Sequence, residues 1–134
     1  PFLSEGGFNA VDVRDVAEGH LLGALHGQSG RRYILGGTNI GYRDFAQRIA
    51  AAAGRSAPRF TAPTRALVAA GTVAEWVADR ITHSPPMLTR RSVAYLAGRW
   101  LWFSTSRAEI ELGYKPRPID EGIAASVAWF QGRR

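Results

Sequence analysis

The rhythm of apolar and polar positions changes repeatedly along this chain, and each change marks an element. Gly6 and Gly7 predict a turn, after which Phe8 to Val13 alternate as a short strand does. Asp15 stands where an N-cap belongs and Glu18 follows three residues on, the spacing of a capping box. The helix this predicts runs from Val16 to about His26, with Val16, Leu21, Leu22 and Leu25 inward, and ends in Gly27 to Gly30. Arg32 to Gly36 is a short apolar run between polar and glycine residues, the mark of a buried strand. Strand, helix and strand at this spacing predict part of a parallel α/β sheet.

Gly41 is expected to cap a second helix. Asp44 lies in its first turn, Phe45, Ile49 and Ala53 form its stripe, and Gly54 stops it. Ala57 to Phe60 reads as another short strand, and Thr64 to Arg80 as a long helix burying Leu67, Val68, Val73, Trp76 and Val77. Pro85 and Pro86 break the chain before a helix over Thr89 to Ala97. Trp100 to Phe103 is an aromatic strand-like segment. Ser104 or Ser106 then caps a short helix that reaches Leu112 and stops at Gly113. Pro118 opens the last helix, where Ile119, Ile123, Val127 and Phe130 recur every three to four residues.

A chain of 134 residues fits one domain with a core of its own. Its 46% hydrophobic and 21% charged residues describe a globular chain, not a disordered one. Cysteine is absent, which excludes disulfides, thiolate metal sites and a Cys nucleophile. Pro1 in place of Met points to an N-terminus set by processing or by a longer reading frame. No signal-peptide pattern is present, and the longest apolar run, Ala66 to Ala74, falls short of the roughly 20 residues that cross a bilayer. A cytoplasmic location without stable membrane insertion is the expectation. The net charge of +6 is carried by arginine, since Lys115 is the only lysine. Those arginines are scattered in ones and twos with no aromatic-interleaved basic stripe, so a solvated basic surface is favoured over nucleic-acid binding.

Four segments share a further pattern. They are V-D-V-R-D-V-A-E-G-H (Val11–His20), R-R-Y-I-L-G-G-T-N (Arg31–Asn39), F-S-T-S-R-A-E-I-E-L-G-Y-K-P (Phe103–Pro116) and I-D-E-G-I-A-A-S-V-A-W-F (Ile119–Phe130). In this order and spacing they resemble the C-terminal half of the NAD-dependent epimerase/dehydratase group of extended short-chain dehydrogenase/reductases, and most closely its dihydroflavonol-4-reductase-like branch, a bacterial type. The resemblance implies an α/β fold: the C-terminal part of a Rossmann-type protein, mostly helical with a few short strands. It implies that residues 1–134 form one domain, the substrate-binding part plus the last strand or two of the cofactor sheet, with the N-terminal cofactor and catalytic half absent. It also implies NAD or NADP in the intact enzyme.

The chemistry of that family is missing from this stretch. Four residues after Tyr33, Tyr42, Tyr95 and Tyr114 stand Gly37, Ala46, Arg99 and Pro118, so there is no Tyr-x-x-x-Lys pair. Gly36, Gly37 and Gly41 do not form the glycine-rich turn that holds a pyrophosphate. No catalytic residue and no cofactor are therefore expected for this chain alone, which would shape the pocket of an oxidoreductase or epimerase acting on a secondary alcohol, a ketone or a sugar. Family members that handle nucleotide sugars often carry Arg directly before the strand leading into the first helix, and Phe8 holds that position here. A second phosphate-binding Arg falls on Ala94, with Arg90, Arg91 or Arg99 able to substitute after a loop shift. These departures favour an apolar or aromatic small-molecule substrate. Phe8, Asn9, Trp100 and Trp102 are the candidate substrate-binding residues.

Most other conspicuous residues have structural explanations. Capping accounts for Asp15, and Arg14 suits an ion pair with Asp12, Asp15 or Glu18 better than a ligand phosphate. His20, His26 and His83 lack carboxylates at metal-ligand spacing, so no metal site is expected. Asp120 and Glu121 favour a helix dipole over glycosidase chemistry. Strand alternation sends Trp100 and Trp102 to one face, as core or as ligand wall. The Ala66 to Ala74 run is either core or a patch that the absent half covers. An alternative from another class is a non-catalytic binding module that self-associates through such apolar surface, which light scattering would reveal. A third is a reductase of lipid substrates, suggested only by the apolar 66–77 helix.

Overall fold

The computed structural model describes residues 2–82 and 98–133. Its strands are short: β1 (Phe2–Ser4), β2 (Gly6–Ala10), β3 (Thr38–Gly41), β4 (Phe60–Ala62) and β5 (Arg99–Leu101). The helices are α1 (Val13–His26), α2 (Tyr42–Ala52), α3 (Thr64–Val77), α4 (Ser106–Leu112) and α5 (Ile119–Gln131). This is the expected α/β chain, mostly helical with a few short strands. β1 and β4 pair in parallel, while β2 lies between β3 and β5 in a second sheet. Gly6 and Gly7 belong to β2 and not to a turn. Gly6 has φ 121°, and a Cβ there would sit 2.5 Å from the Arg99 carbonyl oxygen, so the close approach of β5 requires glycine.

The first strand–helix–strand unit is not a parallel crossover. Arg32 to Gly36 forms no strand; Tyr33 and Leu35 instead pack against Ala108, Leu112 and Tyr114. The following segment, β3, returns antiparallel to β2, pairing Phe8 with Ile40 and Asn9 with Asn39. Parallel pairing comes from β5, which sets Gly7 opposite Trp100.

Helix α1 also starts earlier than its capping pattern predicts. Asp12 is the N-cap, extended at φ −75° and ψ 136°, and its carboxylate accepts the Arg14 N–H at 2.9 Å. Asp15 is therefore inside the helix and only 2% exposed. Its carboxylate accepts the Arg117 backbone N–H at 3.0 Å and the Arg117 Nε–H at 2.6 Å, tying α1 to the segment that enters α5. This register rotates the stripe: Gly19 faces the core, where a Cβ would lie 2.6 Å from a Leu35 methyl, and Leu21 and Leu25 face outward.

Helices α2, α4 and α5 hold closely to their patterns, while β5 stops at Leu101, short of the expected Phe103. Gly41 caps α2, and Gly113, at φ 71°, ends α4 in the left-handed conformation that favours glycine. Strand β4 begins at Phe60, where the predicted strand ended. Helix α3 gives way at Ala78 to a wide π turn through Thr82. Within the Ala66 to Ala74 run, Leu67 is buried against Ala62 and Val68, whereas Val73 and Trp76 are exposed. At α4, Ser104 Oγ accepts the Ser106 N–H at 3.4 Å, and Thr105 occupies the cap position. His83, Pro85, Pro86, Arg90, Arg91, Ala94 and the helix over Thr89 to Ala97 lie outside the described residues.

Candidate functional site

Two grooves with no residue in common open on the sheet and its helices. The larger, of about 930 Å³, runs between the end of β2, α2 and α5. Phe8 projects into the α2 side, its ring stacked 5.6 Å from that of Tyr42 and edge-on 5.0 Å from that of Phe45. Ile49 continues that wall, and Ile123, Trp129 and Phe130 of α5 face it. The apolar stripe of α5 thus serves as a groove wall as well as core, since Ile123 is buried and Phe130 is 66% exposed.

The polar groups of this groove are already committed. Arg14 donates to both carboxylate oxygens of Asp12, at 2.9 and 2.7 Å. Those bonds hold the Asp12 carboxyl far below the usual carboxylate range, and the same contact raises the Arg14 guanidinium above its ordinary value. The charge of Arg14 is thereby spent within the protein, and it is the only cation lining the groove among the described residues. Asn9 is a structural latch: its Oδ1 accepts the Gly37 N–H at 2.8 Å, and its Nδ2 donates to Asn39 Oδ1 at 2.8 Å and to the Gly37 carbonyl at 3.3 Å. Asn39 in turn donates to the Phe103 carbonyl at 3.0 Å and accepts its N–H at 3.1 Å, carrying the latch across to the β5 side.

The second groove, of about 780 Å³, lies between β3, α2 and two tryptophans, Trp100 in β5 and Trp102 just after it. Trp100 and Trp102 share a face, as strand alternation requires, and meet edge-to-face with ring centroids 5.0 Å apart. Trp100 sits over Gly7, where a Cβ would come within 2.8 Å of its ring. The four predicted binding residues are therefore divided: Phe8 and Asn9 border the larger groove, Trp100 and Trp102 the smaller. Phe45, Ile49 and Phe130 belong to the expected stripes of α2 and α5 but were not expected to bind a ligand, and Trp129 lies outside those stripes.

The N-termini of α1, α2 and α5 do not suit a dinucleotide pyrophosphate. A pyrophosphate is held by free N–H groups at a helix N-terminus, but the N-terminus of α1 is closed by the Asp12 carboxylate. Helices α2 and α5 carry Asp44, and Asp120 with Glu121, in their first turns. Asp120 is further engaged by Arg48 at 2.6 and 2.8 Å. Among the described residues no cluster of His, Asp and Glu could hold a metal ion, and no helix is long and apolar enough to cross a membrane.

No family model matches the chain. A Synechocystis sp. protein that carries the provisional name dihydroflavonol 4-reductase is 34% identical across 98% of this chain. The crystal structure of gox2253 is 36% identical and superposes with a TM-score of 0.75 over 99% of the chain. The chain has the sequence and fold of an extended short-chain dehydrogenase/reductase, in its C-terminal part. A nucleoside-diphosphate-sugar epimerase from Pseudomonas aeruginosa, 24% identical with a TM-score of 0.73, shares this reductase fold over 98% of the chain. The chain spans 39% of the length of the Synechocystis relative and 40% of gox2253, so both proteins carry further sequence that has no counterpart in these 134 residues.

Proposed function

We infer that this chain is the substrate-side portion of an NAD(P)-dependent oxidoreductase or epimerase of the dihydroflavonol-4-reductase-like type. The dinucleotide and the proton-transfer residues would lie in sequence outside residues 1–134. When bound there, the nicotinamide supplies or accepts the hydride at a secondary alcohol or ketone carbon. The work of the present residues is to bind and orient that substrate and to exclude water from it. The observation that carries this reading is the groove at Phe8: apolar walls from α2 and α5, with its only lining arginine among the described residues locked to Asp12. Such walls favour a flat apolar or aromatic ketone, because a diphosphate buried there would lack a free cation.

Titrating the chain with acetophenone and, separately, with UDP tests this. The aryl ketone is expected to perturb Phe8, Phe45 and Phe130 side-chain NMR signals in a saturable way, with no response to UDP. Saturable binding of UDP with no effect of the ketone contradicts the assignment of the groove.

A further inference from the structure

Helix α2 presents Asp44, Gln47, Arg48 and Ala51 at i, i+3, i+4 and i+7, one face of a helix, and this face forms one wall of the smaller groove. The opposite wall is the Trp100–Trp102 pair. These rings are 58% and 54% exposed, in a sheet where Gly7 and Gly41 leave room beside Trp100. Aromatic surface faces a row that can accept, donate and do both, and the side chains of Asp44 and Gln47 make no hydrogen bond among the described residues.

We propose that this groove is a second binding site, for a neutral pyranose-type sugar. Three features select that class. The rings meet at 73°, so they form a corner and not the parallel slot that would clamp a flat base. A corner of this kind takes the C–H face of a saturated ring against the electron-rich face of an indole. Arg48, the only cation on the wall among the described residues, is held by both oxygens of Asp120, which disfavours a phosphate. The Asp44 carboxylate and the Gln47 amide suit hydroxyl groups, which donate and accept at once. The site goes beyond the proposed function, because none of its residues lines the Phe8 groove and it needs no dinucleotide.

The test is a titration of the isotopically labelled 134-residue chain with methyl β-D-glucopyranoside, read on the indole N–H signals of its four tryptophans. The Trp100 and Trp102 signals are expected to shift saturably in the millimolar range while those of Trp76 and Trp129 stay in place. Trp102→Ala abolishes the response, and Asp44→Ala or Gln47→Ala each weaken binding about fivefold, the effect of one hydrogen bond. No saturable shift at Trp100 and Trp102, or equal shifts at all four indoles, overturns the proposal. A response to choline chloride in place of the glucoside also overturns it and makes the corner a cation site. The ketone and UDP titrations read a different groove, so either assignment can fail alone.

Discussion

Replacing Asp15 by Ala is expected to destabilise the chain by about 3 kcal/mol, within the range for breaking a buried ion pair. Asp15 is 2% exposed and Arg117 27% exposed in its side chain, so water replaces the lost contacts only in part. The variant leaves the guanidinium with only the longer 4.0 Å contact to the exposed Glu18 and removes the acceptor of the Arg117 backbone N–H. Arg117→Lys keeps the charge but loses the fork, so its effect should be smaller. Urea denaturation at unchanged slope measures both. A loss below about 1 kcal/mol for Asp15→Ala would mean that the residue is the exposed cap its sequence position suggests.

Tyr114→Ala should be still more damaging, by about 4 kcal/mol, as large-to-small core changes of aromatic residues are. Tyr114 is among the largest fully buried side chains, clustered with Ala108 and Leu112, against which the partly buried Leu22, Tyr33 and Leu35 pack. Its hydroxyl donates to the Gly36 carbonyl at 2.9 Å, which holds down the segment before β3. Tyr114→Phe isolates that bond and should cost about 1 kcal/mol. Burial, with Asp15, Glu18 and Glu109 nearby, raises the phenol above its ordinary value. A group raised in the folded state stabilises fully below its unfolded value and less as pH rises through it. Stability should therefore fall above about pH 10, and Tyr114→Phe should flatten part of that fall. An unchanged alkaline profile in the Phe variant would contradict this account of the core.

The elements were legible in the sequence wherever a glycine or a strong period marked them. Gly113 and Pro118 close and open helices where expected, because left-handed geometry and a missing N–H act locally, and Gly41 caps α2 in extended backbone. The cap was expected at Asp15 and not at Asp12, an error that no local signal corrects, since both residue types can cap and the Arg117 contact that buries Asp15 lies 102 positions away. Arg32 to Gly36 has strand composition, yet its partner is the α4 cluster, so tertiary packing overrides propensity. Of the site, the shared face of Trp100 and Trp102 followed from alternation alone. The separation of Phe8 from those tryptophans did not, because it depends on how α2 and β5 lie beside β2. Asn9 reads as a ligand-facing amide in sequence, but its bonds to Gly37 and Asn39 show it tying strands together.

The central claim is that these residues hold substrate while the dinucleotide chemistry resides elsewhere. It is tested most directly by calorimetric titration of the 134-residue chain with NADH and with NADPH. The account predicts no saturable heat with either, because the α1 N-terminus is closed by Asp12 and no Tyr-x-x-x-Lys pair is present. Stoichiometric binding in the micromolar range would contradict it and place the cofactor site within this chain.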